Sequence, residues 1–326
     1  MLRECDRISG WPVAGYGWLG ATPHSLAGHS GAGGVAHMDR LKVLCFAGTY
    51  GLALVCELAR LVVRSPFRWY LTVGLTSLGW LVQTIFLANL ALKDQIILPV
   101  TSAFESVMVL AWIVAFIGLF LMLHWPRQVA VGIFVLPLVL GLVVVAGWFV
   151  PRESDWLEEG MMAFWGTVHG IFLLGGAVCT CVAFAAGLMY LAQMRRLKSK
   201  RPARLGLTLP SLEQSERVNR GAITIAFPLL TFGLLIGMIL SVKTRSLGPE
   251  MGFTLSWTDP KVVSALGMWL VFAALLHARF RPALRGRSVM VLTIVAFAFL
   301  VFTWVGIEAL RLPTAHGAAR TAGGHP

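Results

Sequence analysis

Charge is scarce in this 326-residue chain, and acidic charge is scarcest. Fifteen Asp and Glu stand against 27 Lys and Arg, and the four types together make up 13% of the residues. Soluble domains carry about 25%. That shortfall, with 57% hydrophobic residues and a mean hydropathy of +0.76, excludes a soluble enzyme and a disordered chain. Cysteine is sparse too. There are five, an odd number. Cys5 lies near the start, and Cys45, Cys56, Cys179 and Cys181 lie within apolar stretches, which argues against a disulfide framework. Cys179 and Cys181 are two apart on an expected helix, so they point about 200° apart and make a poor chelate. They read as small core residues. Polar–apolar alternation is missing, which excludes a β-barrel. There is no GxGxxG, Walker loop, HExxH or Ser-His-Asp order, and no internal repeat. A net charge of +12 would suit nucleic acid. Here the cations sit in loops between apolar runs, so membrane topology explains them better and no nucleic-acid partner is expected.

What the chain does have is eight apolar runs, near 43–63, 69–92, 104–124, 129–150, 167–192, 222–242, 262–279 and 288–309. Each is long enough to cross a bilayer, which needs roughly 20 residues per helix. The fold class expected is all-α, a polytopic membrane helical bundle of about eight transmembrane helices. Residues 43–312 form that bundle, 1–42 a disordered segment rich in Gly, Ala, Ser and His, and 313–326 a flexible tail. Pro137 and Pro228 fall inside spans four and six and suggest kinks.

The positive-inside rule orients the bundle. The loop between spans five and six carries Arg195, Arg196, Lys198, Lys200, Arg201, Arg204, Arg217 and Arg220. That between seven and eight carries Arg279, Arg281, Arg285 and Arg287. Both are expected in the cytoplasm. Glu153, Asp155, Glu158 and Glu159 then lie outside, as do both termini. Arg3, Arg7, Arg40 and Lys42 disagree mildly. The first forty residues lack the h-region of a signal peptide, and a translation start at Met38 would remove part of the conflict.

Histidine is where chemistry could reside, because polar groups at membrane depth usually serve function. His169 opens span five and His316 follows span eight, both on the expected outer side. Two neutral imidazoles at one face could be the axial ligands of a haem iron. They could equally be two unrelated interfacial residues. His277 lies near the other end of span seven. Residues 262 to 277 advance roughly 22 Å, which leaves His277 too deep to share that iron. It serves a second, inner site or a structural contact. His124, at the cytoplasmic end of span three, could meet His277, but beside Trp125 and Pro126 it also reads as an interfacial anchor. In the outer loop before span seven, Trp257 could stack on a macrocycle and Lys261 could pair with a propionate. The plainer reading is a Trp-Asp-Pro turn, with Asp259 as N-cap and Pro260 at the first helical position. Glu105 belongs to the first turn of span three, with Thr101 or Ser102 as cap.

Several pieces together resemble the cytochrome c assembly protein family, which includes the haem-handling membrane subunit of cytochrome c synthetases and HemX-type proteins. They are LPVTSAFESVMVLAW in span three, the His169 helix running to YLAQMRRLKSK, LPSLEQSERVNRGAITIAFPLLTFGLLIG, DPK followed by MWLVFAALLHAR, and the closing LPTAH. The resemblance covers roughly residues 70 to 316. It implies a non-covalent b-type haem facing outward between His169 and His316, and a histidine within the membrane, His277, that receives haem on its way. Trp257, Asp259 and Lys261 then belong to the loop covering the haem. The implied partners are haem, a second membrane subunit of a cytochrome c synthetase, an apocytochrome c and the lipid bilayer, with the chain multi-pass in the inner (plasma) membrane and part of a cytochrome c haem lyase system. The family's loop is close to WGxxWxWDPKE, whereas this chain reads MGFTLSWTDPKVV, with Val262 in place of the glutamate. That departure favours a HemX-like protein or an accessory subunit over a complete synthetase. The alternative is a non-catalytic membrane scaffold or regulator that has lost haem transport. A small-molecule transporter is a weaker reading, because no inverted halves are visible.

Overall fold

The computed structural model describes residues 29–59, 67–93, 99–100, 102–124, 131–150, 161–199, 209–246, 260–280 and 286–306. The chain divides into two units, Met1–Asp39 and Arg40–Pro326, and the bundle described below belongs to the second.

Backbone polar groups find no water inside a bilayer, so a chain this apolar must satisfy them within helices. Among the described residues there are eight α-helices and no strand: α1 (His29–Ala59), α2 (Phe67–Lys93), α3 (Ala103–His124), α4 (Gly132–Phe149), α5 (Met161–Lys198), α6 (Leu212–Ser246), α7 (Pro260–Phe280) and α8 (Arg287–Val301). A π-helical turn, Phe302–Gly306, continues α8. Six of them are long and apolar enough to cross a membrane, and the apolar stretches Val43–Ala59 of α1 and Val262–Ala278 of α7 are shorter. The protein is a helical multi-pass membrane bundle.

The helix ends differ from the expected span ends in an instructive way. α5 begins at Met161 and runs to Lys198, and α6 begins at Leu212 and runs to Ser246. Hydropathy marks where the membrane ends, not where the helix does. Arg217–Glu213 and Arg220–Glu216 pairs at i,i+4 continue α6 into the polar zone. Ser211 caps that extension by accepting the Gln214 N–H at 3.1 Å. α1 likewise begins at His29, inside the stretch expected to be disordered. At α3 the capping box is present. The Glu105 N–H donates to Ser102 Oγ at 3.1 Å, and the Ser102 N–H donates to Glu105 Oε2 at 3.2 Å. Pro137 and Pro228 lie inside α4 and α6.

Lipid is as apolar as leucine, so close backbone approach and buried hydrogen bonds hold membrane helices together. α5 and α6 meet through glycines on both sides. A Cβ on Gly176 would stand 2.5 Å from Leu230, and one on Gly233 would stand 2.6 Å from Leu173. Gly79 seats Thr49 and Tyr50 of α1, and Gly118 seats Val135 of α4. Polar bridges sit at the centre. Tyr50 Oη donates to Gln83 Oε1 at 2.8 Å, and Gln83 Nε2 donates to the Met108 carbonyl at 3.2 Å, joining α1, α2 and α3. Asn219 Nδ2 donates to the Ala183 carbonyl at 2.8 Å and to Thr293 Oγ1 at 3.3 Å, joining α6 to α5 and α8. Large apolar side chains such as Leu81, Ile85, Phe232 and Ile239 are exposed, as suits a bundle solvated by lipid. The cysteines at 45, 56, 179 and 181 are all free thiols. Cys181 is buried, but Cys45 is exposed.

Candidate functional site

His169 does not open its helix. α5 begins eight residues earlier at Met161, so the imidazole lies about 12 Å along the helix from its first residue. Met161 to Val168 remain helical because they contain neither proline nor a charge, with a single glycine at 166. At that depth α6 presents Gly233 and Gly237, one turn apart on one face. The ring lies in the notch they leave. Nδ1–H donates to the Gly233 carbonyl at 2.7 Å. A Cβ on Gly237 would stand 2.6 Å from Cε1 and 3.0 Å from Nδ1.

This contact decides the chemistry of the ring. A carbonyl only accepts, so Nδ1 carries a proton, and in the neutral ring the lone pair is then on Nε2. A metal-binding histidine typically ties down its other nitrogen in the same way. His169 is half-buried, and the hydrogen bond holds its ring in one orientation with Nε2 uncommitted. The residue present therefore fits a role in which its Nε2 would ligate a haem iron.

Aromatic side chains also join α7 and α5 to α6. Trp269 of α7 donates its Nε1–H to Thr231 Oγ1 at 2.9 Å, and its ring lies 5.7 Å from Phe227. Phe172 and Phe232 approach at 5.8 Å. Trp269 is thus turned onto α6. Its bond also fixes the height of α7 in the bundle. Thr231 is two residues from Gly233, and His277 lies eight residues beyond Trp269. His277 and His169 are therefore roughly 15 Å apart along the bundle axis. His277 is exposed, and the structure does not bring the two together.

His124 turns back onto its own helix. Its Nδ1–H donates to the Phe120 carbonyl at 3.0 Å, and its ring stacks on Phe120 at 3.9 Å. It is exposed, the posture of an interfacial residue. Pro260 is the first residue of α7, as the helix-start pattern anticipates. Lys261 follows it in the helix. His316, Trp257 and Asp259 lie outside the described residues. Among the described residues, no three His, Cys, Asp or Glu side chains cluster as metal ligands. Sequence reasoning missed Gly233 and Gly237. The signal was present as a small-xxx-small pair in an apolar run, FGLLIG.

Residues 100–312 match the family described as Cytochrome C assembly protein. The chain belongs to this family. That stretch begins just before α3 and takes in the His169 notch and His277. A cytochrome c biogenesis protein CcsA from Parasynechococcus marenigrum is 24% identical over 284 residues, covering 77% of this chain and 90% of the relative. One from Prochlorococcus marinus is 25% identical over 290 residues, covering 78% and 89%. One from Guillardia theta is 25% identical over 260 residues, covering 74% and 83%. Among solved structures, a cytochrome c haem lyase CcmF matches with a TM-score of 0.56 at 16% identity, over 89% of this chain. The chain spans about half, 52%, of that protein, and the likeness is one of fold.

Proposed function

We propose that this cytochrome c assembly protein binds haem non-covalently in the membrane and presents it for attachment to an apocytochrome c. The observation that carries the reading is the His169–Gly233 hydrogen bond. It commits Nδ1 to the protein and reserves Nε2 for an iron. His169 and His316 would hold the haem iron, with Trp257 and Asp259 of the preceding loop and Lys261 at the start of α7 beside the macrocycle. His277, some 15 Å away along the bundle axis, serves an earlier point on the haem's path.

Bound haem supplies iron and a conjugated macrocycle. This chain's part is to orient a neutral imidazole, to screen the site from water with α5–α7 side chains, and to keep a proton on His169 Nδ1. A thioether requires the thiols of the apocytochrome. The match to CcmF, which is about twice as long, supports work beside a second membrane subunit of a synthetase. The arginine-rich loops support placement in the inner (plasma) membrane with those loops in the cytoplasm.

The test is an absorption spectrum of the detergent-purified protein, oxidised and then reduced with dithionite. Sharp reduced α and β bands in the wild type, lost or weakened in His169→Ala and His316→Ala, are expected. A second reading, a scaffold that keeps the fold without carrying haem, draws on the departure from the family's tryptophan-rich loop at MGFTLSWTDPKVV. A featureless spectrum after expression with ample haem would establish that reading and overturn the first.

A further inference from the structure

A second feature lies at the other, arginine-rich end of the bundle and has no part in the haem reading. α3, α4, α5 and α6 leave a slot between them, lined by Ile117, Leu121, Leu138, Ala185, Met189 and Ser215 among others. Its cavity volume is about 50 Å³, and it opens onto the surface of the bundle. Apart from Ser215 the named side chains are apolar. The slot lies among spanning helices, where a water-soluble ligand would leave its own polar groups without partners.

Ser215 is the exception, and it is unsatisfied. The residue is 3% exposed, and its hydroxyl has no hydrogen-bond partner. Buried Thr76, Thr180 and Thr293 each donate to the carbonyl four residues back. Ser215 does not. Only its backbone N–H reaches the Ser211 carbonyl, at 3.0 Å. On α5, one turn beyond Met189, Gln193 Oε1 is also buried without a partner. Arg195 and Lys198 follow in the last turn of α5, both exposed. The order along this end of the bundle is therefore an apolar slot, two orphaned polar atoms, then cations.

That is the order of a phospholipid. We propose that this open slot seats part of one phospholipid acyl chain, the segment next to its ester. The Ser215 hydroxyl donates to an ester carbonyl, Gln193 Oε1 accepts from a headgroup donor, and Arg195 and Lys198 attract the phosphate. An ester carbonyl is an acceptor without a proton, which suits a hydroxyl whose own donor is free. Cations beyond the neck favour an anionic headgroup over a zwitterionic one.

The test uses the full chain, purified in mild detergent and stripped of lipid by exchange. It is then offered phosphatidylglycerol, phosphatidylcholine or oleate, and retained molecules are counted by native mass spectrometry. The wild type is expected to keep one phosphatidylglycerol and to hold it more tightly than phosphatidylcholine. Ser215→Ala removes one hydrogen bond and should weaken retention about fivefold. Ala185→Phe fills the slot and should abolish retention. An unchanged elution profile shows that each variant is folded, and Ser215→Ala, which only removes an oxygen, keeps the test valid if Ala185→Phe does not fold. Equal retention by wild type and Ser215→Ala overturns the proposal, as does a wild type that keeps no phospholipid. Retention of oleate alone assigns the slot to a free fatty acid and overturns the headgroup contacts.

Discussion

His169 on α5 and Gly237 on α6 are in contact at a position where α6 can carry no side chain. A Cβ on Gly237 would meet the imidazole Cε1 at 2.6 Å. The same ring is tied to the Gly233 carbonyl at 2.7 Å. Two glycines one turn apart thus set both the tilt of the ring and its tautomer.

Gly237→Ala is expected to push the ring out of its notch, because the contact falls on Cε1, next to the Nδ1 that a short hydrogen bond holds in place. Overpacking of this kind costs about 2 kcal/mol. Reduced α and β bands should weaken while the protein still elutes as a folded species. Gly221→Ala is the control, since nothing lies within 4 Å of the position its Cβ would take. Equal spectra for the two variants would show that the notch does not position His169.

His124→Phe should leave the haem spectrum unchanged and shift stability by less than about 0.5 kcal/mol. The residue is exposed, and its hydrogen bond is to its own helix. A lost spectrum in this variant would place His124 in the haem site and overturn its reading as an interfacial residue.

Tyr50→Phe removes the donor to Gln83 Oε1, an oxygen at the fully buried junction of α1, α2 and α3. The loss should be about 1 kcal/mol, typical of a hydrogen bond between membrane helices. It is read as a lower midpoint of thermal unfolding in detergent. Combining it with Gln83→Leu should cost less than the two single losses added together, because the orphaned oxygen is then gone as well.

Asn219→Asp should be far more damaging than Asn219→Leu. Asn219 donates both of its hydrogen bonds through Nδ2, to Ala183 and Thr293. Aspartate loses the donor and places a charge at a site with 0% exposure. A buried carboxylate left without a donor costs on the order of 3 kcal/mol. The yield of monodisperse protein after detergent extraction reads the difference. A leucine variant as poor as the aspartate would show that shape, not hydrogen bonding, governs this junction.

Much of the bundle is legible in the residues. The core of all eight helices lies within the apolar runs, since crossing a bilayer demands long uninterrupted apolar stretches. The Ser102–Glu105 box and the start of α7 at Pro260 are equally local and equally readable. The ends of α5 and α6 are not, because helices continue on charge pairs after hydropathy has fallen. The site is legible only in part. His169 stands out as a polar residue in an apolar run, but nothing nearby in sequence says that its partner is a carbonyl 64 residues away.

The sequence by itself determines that this protein is a polytopic helical bundle, and it offers a few histidines as candidates for its chemistry. Composition and apolar run length are local, additive properties, and they survive any rearrangement of the helices. Only the tertiary structure decides which nitrogen of His169 is committed, which glycines receive its ring, and which heights in the bundle His169 and His277 occupy. Those outcomes depend on the rotation and vertical offset of each helix against its neighbours. A helix such as α3 or α4, apolar on nearly every face, carries little pattern to specify either. Interlocking glycines, buried amides and hydroxyls specify them instead, and they do so only once the helices have packed.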